Sequence, residues 1–313
     1  MEALPAFPSS TGLLVPPKYE YEQAIDALFS SHRCRHVYMD VGSNIGVQIR
    51  KLFEPHLYSS HPSARALTRT YDNFFGGIGE RCRVCAIAIE PNEKHRPRLS
   101  ELETRLRAVG AGVLYLRGAA ASADGMLALQ LPSGKEVNRT DAWGLKHFVS
   151  LERDANVFHN ESACALASQK NGRGGCLSIP AFNFSRLVAR VHRNLLLVNG
   201  ASRSGSLLMK MDIEAHEFSV LPPLQQFDLD CAIDGLFMEW HFQPTLGDLP
   251  PTRRRHLQRD IAARWAARKG LPSAYGVCNT SVLHIHDESY SGDGIPWPSR
   301  PFGSCTAQTG GVG

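Results

Sequence analysis

Six short apolar runs punctuate the chain: "HVYMDVG" at 36–42, "VCAIAIEP" at 84–91, "GVLYLRGAAAS" at 112–122, "LLMKMDIE" at 207–214, "IDGLFMEWHF" at 233–242 and "VLHIHD" at 282–287. Each is rich in branched or aromatic side chains and bounded by turn residues, the pattern of a buried strand. Between several of them the period changes to that of a helix. In "NEKHRPRLSELETRLRAVG" (92–110), Leu99, Leu102, Leu106 and Val109 recur every three to four residues and Gly110 supplies a stop. Strands alternating with helices predict an α/β fold whose parallel strands are joined by right-handed crossovers. A segregated α+β arrangement is the competing expectation.

Composition sets limits around this pattern. A chain of 313 residues, 43% hydrophobic, can bury one large core, or a core with a smaller appended region. Its 34 basic and 30 acidic residues leave +4, a balance that permits nucleic acid as a partner without asking for it. No apolar run reaches the ~20 residues of a membrane span. The start, "MEALPAFPSSTGLLVPPKYEYEQ", has neither a basic leader nor an adequate apolar region. A cytoplasmic or otherwise soluble protein is therefore expected. The eight cysteines read first as buried thiols, since Cys82 and Cys85 have no second pair at zinc-ribbon spacing. Four N-x-S/T sequons, at Asn138, Asn160, Asn183 and Asn279, support a second expectation: a lumenal or secretory life after loss of an N-terminal anchor, with Cys164 and Cys176 as the candidate disulfide.

Residues 1–18 are rich in proline and serine and residues 303–313 lack apolar periodicity, so both ends should be loosely held. A single domain over 19–302 remains, interrupted by insertions at about 54–80 and 134–176. The second insertion follows an expected hairpin in "GMLALQLPSGKEV". Both contain aromatics (Tyr71, Phe74 and Phe75; Trp143, Phe148 and Phe158), which favours covering lids over disordered spacers.

The first apolar run ends in Asp40-Val41-Gly42-Ser43-Asn44-Ile45-Gly46 and leads into a helical stretch. Open α/β sheets bind ligands beyond the carboxyl ends of their strands. A dinucleotide would ask for G-x-G-x-x-G there, and a nucleoside triphosphate for a terminal Gly-Lys-Ser/Thr. Neither is present. A carboxylate at the strand tip, two glycines four apart and Asn44 between them suit a ligand with an amine and a cationic centre. Glu90 ends the second run before Pro91-Asn92, where a carboxylate can accept both hydroxyls of a ribose. The bland alternatives are a turn or capping role for Asp40 and a solvated strand end for Glu90.

Taken together, "VYMDVGSNIG", "IAIEPN", "GAAASADGMLALQL" and "LLMKMDIEAHEFSVL" resemble, in order and separation, the FkbM-like family of S-adenosylmethionine-dependent methyltransferases over roughly residues 36–242. The last piece carries most of the resemblance. Lys210, Asp212, Glu214 and Glu217 stand where the family has Lys-Ile-Asp-x-Glu-Gly-x-Glu, with Ala215 in place of the glycine. "IPAFNFSRLV" resembles the family's short helix before this strand. The resemblance implies a doubly wound, mostly parallel seven-stranded sheet of the class I methyltransferase, Rossmann-like type, with two lid-like insertions. It implies S-adenosyl-L-methionine over the first two strands, its methionine part held by Asp40, Gly42, Ser43, Asn44 and Gly46, its ribose by Glu90 beside Pro91, its adenine near Ala119 and Ala120, and Asp212 flanking it. The reaction implied is O-methylation of a small-molecule or glycan acceptor.

A hydroxyl acceptor benefits from a base. Asp212 and Glu214 alternate at the end of the fourth run, and Glu239 and His241 share a face of "FMEWHF" by the period of two. Three readings follow: His241 as general base, its unperturbed pKa of ~6.5 suiting the task, among Asp212, Glu214 and Glu239; a divalent ion, magnesium or manganese, held by Asp212, Glu239 and His241; or a structural hydrogen-bond network. His284 and His286 read as structural, and His216 and Glu217 as walls of the acceptor pocket. Arg253-Arg254-Arg255-His256 opens an amphipathic helix with Leu257, Ile261 and Trp265 at four-residue spacing. Its basic remainder reads as a solvated face, against an anionic acceptor, a membrane surface or nucleic acid. Nucleic acid is the least supported, because no module with interleaved aromatics follows. The rivals to a small-molecule enzyme are a non-catalytic binding protein on the same fold and a methyltransferase for nucleic acid or protein.

Overall fold

A computed structural model describes residues 20–60, 62–130, 176–199, 205–213, 216–242 and 250–284. Its elements in chain order are α1 (Glu20–Ser31), β1 (His36–Val41), α2 (Val47–Phe53), α3 (Pro62–Phe75), β2 (Val84–Glu90), α4 (Arg96–Ala108), β3 (Gly112–Arg117), β4 (Ala119–Ala121), β5 (Gly125–Gln130), β6 (Cys176–Asn183), α5 (Phe184–Asn199), β7 (Leu207–Met211), α6 (Glu217–Gln226), β8 (Gly235–Met238), α7 (Pro251–Arg268), β9 (Pro272–Ser273), β10 (Gly276–Val277) and β11 (Ser281–His284).

Six strands form the central sheet in the order β11-β8-β7-β1-β2-β3, and every neighbouring pair is parallel. β1, β2 and β7 are buried at every position, as strands in the middle of a sheet covered on both faces must be. Alternation divides their side chains between two cores. Val37, Met39, Val41, Ile87, Ile89, Met209 and Met211 face α1, α5, α6 and α7, whereas Tyr38, Ala86, Ala88, Val113, Leu208 and Phe237 face α2, α3 and α4. The architecture is compatible with a Rossmann-like fold. Among the described residues the sheet has six strands, not the seven expected.

Several expectations change with the coordinates. Part of the first insertion is core rather than lid: α3 sends Leu67, Tyr71 and Phe75 into the second cluster, with the Tyr71 ring edge-on to Tyr38 at 5.2 Å. Truncating a buried aromatic such as Tyr71 would cost about 3–5 kcal/mol. β5 pairs antiparallel with the distant β6 within a separate three-stranded sheet, β4-β6-β5. "IPAFN" is strand rather than helix, and α5 starts only at Phe184, where Asn183 caps it by accepting the Arg186 N–H at 3.0 Å. The second insertion lies outside the described residues apart from Cys176.

The cysteines also depart from the buried-thiol expectation. Cys34 pairs with Cys85 and Cys231 with Cys278, with Cα separations of 5.3 and 4.4 Å, and Cys82 is disulfide-bonded as well. The Cys164–Cys176 pairing falls outside the described side chains. No described helix is long and apolar enough to cross a membrane.

Candidate active site

Numbered along the chain, the six sheet strands lie in the order 3-2-1-4-5-6, so the winding reverses between β1 and β7. A crevice opens beyond the carboxyl ends of two such strands, because their connections leave in opposite directions. Asp40 stands one residue from the end of β1 and Lys210 one residue from the end of β7, directly paired in register. Asp40 also pairs with Ala88, two residues before Glu90, so the pleat turns Asp40, Glu90 and Lys210 to the same face. The charged groups therefore meet at the switch point.

The turn after β1 is fastened on three sides. The Gly42 and Ser43 N–H groups both donate to the Ile89 carbonyl, at 2.9 and 3.1 Å, and Asp212 N–H donates to Val41 O at 3.0 Å. Ser43 is fully buried; its hydroxyl donates to Asp40 O at 2.5 Å and accepts the Ile89 N–H at 3.1 Å. That hydroxyl holds the loop together and leaves ligand contacts to others. Gly42 has φ +79°, and a Cβ there would lie 1.9 Å from the Asp212 carbonyl oxygen, so only glycine lets the first and fourth strand ends approach. Asn44 also sits at positive φ, 52°, which asparagine tolerates better than most residues.

Asp40 is 0% exposed, and neither carboxylate oxygen meets a donor in hydrogen-bonding geometry, although the Ser43 hydroxyl lies near enough to favour the ionised form; the nearest cation is Lys210 Nζ, 3.8 Å from Oδ1. Burial pushes its carboxyl up to about 6, with Lys210 pulling down and Asp212 pushing up. Glu90 is better satisfied. It accepts the Asn92 N–H on Oε1 and the Asn44 N–H on Oε2, both at 2.8 Å, yet burial still raises it to about 7. The Asn44 side-chain oxygen is buried and lacks a donor too. Three orphaned acceptor atoms thus cluster beside a part-neutralised carboxylate, an arrangement that a ligand bearing N–H groups and positive charge would complete.

The other wall is built by β7, α6 and the segment after β8. Lys210 Nζ donates to Gly42 O at 2.7 Å and to Asp212 Oδ2 at 3.1 Å. β8 stops at Met238, so Glu239 and His241 lie in irregular backbone rather than on a strand face. His241 turns to meet α6: its Nδ1 is 3.0 Å from Glu217 Oε1 and its Nε2 3.5 Å from Asp212 Oδ1. Glu217 is fully buried and also accepts the Ile213 N–H at 3.0 Å. Buried Arg254 of α7 donates to the His241 carbonyl at 3.2 Å.

Asp40, Asn44, Glu90, Asp212 and His241 are thus brought to one end of the sheet. Ala119 and Ala120 form β4 and are packed in place, and Pro91 is buried. Glu214 lies outside the described residues. The ligand atoms of Asp212, Glu239 and His241 do not all fall within 4.8 Å of one another, so they form no ready three-ligand metal set. The one described trio that does, Asp230 with Cys231 and Cys278, consists of a disulfide beside a carboxylate that Arg268 contacts at 2.9 Å. Motif matching assigns Lys210 no chemical role and Glu217 only a place in the pocket wall. A lysine inside the apolar run "LLMKM" is the signal that marks the first. Nothing local marks the second. Set against known protein families, curated proteins and solved structures, the chain matches none of them.

Proposed function

We propose that the protein is an S-adenosylmethionine-dependent methyltransferase acting on an oxygen of a small-molecule or glycan acceptor. One observation carries the reading: at the switch point of the sheet, Asp40 holds two buried oxygens with no donor in hydrogen-bonding geometry, on the same face as Glu90. A cofactor with an ammonium and a ribose diol supplies what those carboxylates lack, and its sulfonium-bound methyl is the electrophile. Asp40 and Asn44 would hold the amino-acid end and Glu90 the ribose. Lys210, bridging Gly42 and Asp212, keeps the two strand ends at fixed separation.

The acceptor's proton goes to His241. Its Nδ1 lies 3.0 Å from Glu217 Oε1, an atom that also accepts the Ile213 N–H, so we assign the ring proton to Nδ1 with Oε1 as its acceptor. Nε2 faces Asp212 Oδ1 at 3.5 Å, and the acceptor hydroxyl would donate its one proton to Nε2 on that side of the ring. Proton transfer to Nε2 would accompany methylation of the acceptor oxygen, the electron pair of the broken carbon–sulfur bond staying on the thioether, and Glu217 would stabilise the imidazolium. Cys34, Cys82, Cys85, Cys231 and Cys278, all in disulfides, support an oxidising compartment and with it the glycan class of acceptor.

The test begins with binding. S-adenosylmethionine should raise the melting temperature of the wild type, and Asp40→Ala should abolish the rise; a wild type indifferent to the cofactor ends the proposal. An acceptor screen with methyl-labelled cofactor then identifies the substrate.

A further inference from the structure

Away from the crevice, a hollow of about 310 Å³ lies between α7 and the strand edge, lined by Trp240, Gln258, Arg259, Trp265 and Lys269 among others. Its size is at the small end of the range for ligand pockets, about 300–1,000 Å³. It exists because Ala262 and Ala266, exposed and one turn apart on α7, withhold side-chain bulk between the two cations.

The donor and acceptor inventory is one-sided. Arg259 and Lys269 are exposed and make no ion pair among the described residues, whereas Arg268 on the same helix is held by Asp228 and Asp230. The indole nitrogens of Trp240 and Trp265 are themselves buried, without an acceptor among the described residues, so the indoles offer the hollow ring surface rather than an N–H donor. Thr280, at the rim, already donates its hydroxyl to Asp230 O at 2.6 Å. Among the described residues, no carboxylate lines the hollow. Apolar indole surface next to unpaired cations and a side-chain amide matches a ligand with a C–H face, several oxygens and negative charge.

We propose that this hollow binds an anionic pyranose, a sugar residue bearing a carboxylate or a sulfate. The ring would lie against indole, the anionic group would reach Arg259 and Lys269, and the Gln258 amide would serve a hydroxyl. The hollow is joined to the candidate base by covalent structure: Trp240 directly precedes His241, and Arg254, one helix turn before Gln258, donates to the His241 carbonyl. A saccharide anchored here therefore lies beside the segment that carries the base. Binding can be read without turnover, so this proposal and methyl transfer succeed or fail separately.

The experiment is a titration of the full chain, by calorimetry and tryptophan fluorescence, with a sulfated heparin tetrasaccharide, a carboxylate-only hyaluronan tetrasaccharide and neutral maltotetraose. One or both anionic sugars should bind, and which one does identifies the anionic group. The pair Arg259→Glu and Lys269→Glu should weaken binding at least about tenfold, the scale of a lost charge-assisted contact. Trp240→Leu should weaken it too and reduce the fluorescence change. Arg264→Glu, on an exposed position of α7 that does not line the hollow, is the control for general charge attraction and should change affinity less than about twofold. Arg259 and Lys269 are exposed, so an unchanged melting temperature will certify the fold of the charge reversals. Absence of binding by both anionic sugars, equal binding of maltotetraose, or an equal loss in Arg264→Glu overturns the proposal.

Discussion

Asp40 and Glu90 are carboxylates whose burial opposes folding at the place where the proposed cofactor would need them. Both carboxyls are raised, mainly by burial, to about 6 and about 7. A folded-state value above the unfolded one means the native protein holds the proton more tightly. The stability this contributes is complete below about pH 4 and is lost as pH rises through 6 to 7. Asp40→Asn removes the penalty, and the apo protein should gain on the order of 2 kcal/mol at pH 8 while losing cofactor affinity, checked by denaturant unfolding and calorimetry. Binding of the proposed cofactor should run the other way. A cationic ligand favours the ionised carboxylate, so wild-type affinity should strengthen from pH 5 to 7.5 and then level, with proton release in that window seen as a buffer-dependent binding heat. At His241 the relevant partner is Glu217. Glu217→Gln keeps the shape but loses the charge that orients the imidazole, so kcat should fall about 10²-fold or more with KM little changed. His241→Ala should cost as much, and the double variant no more than either, because the two residues act as one unit.

Among the elements, the turn between β1 and α2 does most to build the site. Gly42→Ala would force a Cβ to 1.9 Å from the Asp212 carbonyl at a φ that alanine avoids. The variant should lose at least about 2 kcal/mol of stability and bind cofactor more weakly, since β1 and β7 must separate; melting curves with and without cofactor measure both. This part was legible in the sequence. The strand tip, the glycine and the second acidic tip are local signals, and strand alternation carries them onto one face. α3 departs from the lid expectation because the length of residues 54–80 masks a helical stripe: Leu67, Tyr71, Phe74 and Phe75 have helical spacing, and three of the four are buried. The His241–Glu217 contact could not be reached by a period-of-two argument, because β8 ends at Met238 and the chain bends toward α6. Where a strand stops is set by what packs beyond it, here α6 and Arg254 of α7.

At the scale of the whole molecule, the disulfides join parts of the chain that the topology leaves far apart in sequence. Cys34, just before β1, reaches Cys85 at the start of β2, 51 residues on, and Cys231 reaches Cys278 across 47 residues and all of β8 and α7. The first bond needs room that Gly112 provides, since a Cβ there would lie 2.4 Å from the Cys85 sulfur. Closing loops of this length restricts the unfolded chain by about 4 kcal/mol each in the chain-entropy account. Both bonds lie where strands of the sheet begin, Cys34–Cys85 at β1 and β2 and Cys231–Cys278 just ahead of β8 and β11, at the end of the sheet away from the crevice. Reduction should therefore lower the melting temperature by on the order of 10 °C while leaving any stabilisation by S-adenosylmethionine largely in place. Cys231→Ser with Cys278→Ser, which leaves the β1–β2 bond intact, should reproduce only part of the fall. If the protein folds in an oxidising, glycosylating compartment, peptide mapping should find sugar on Asn279, which is exposed, and none on Asn183, whose side-chain oxygen is engaged as the cap of α5. A protein whose melting temperature is indifferent to reductant would instead place its cysteines in the thiol form and remove the structural reason for assigning it to such a compartment.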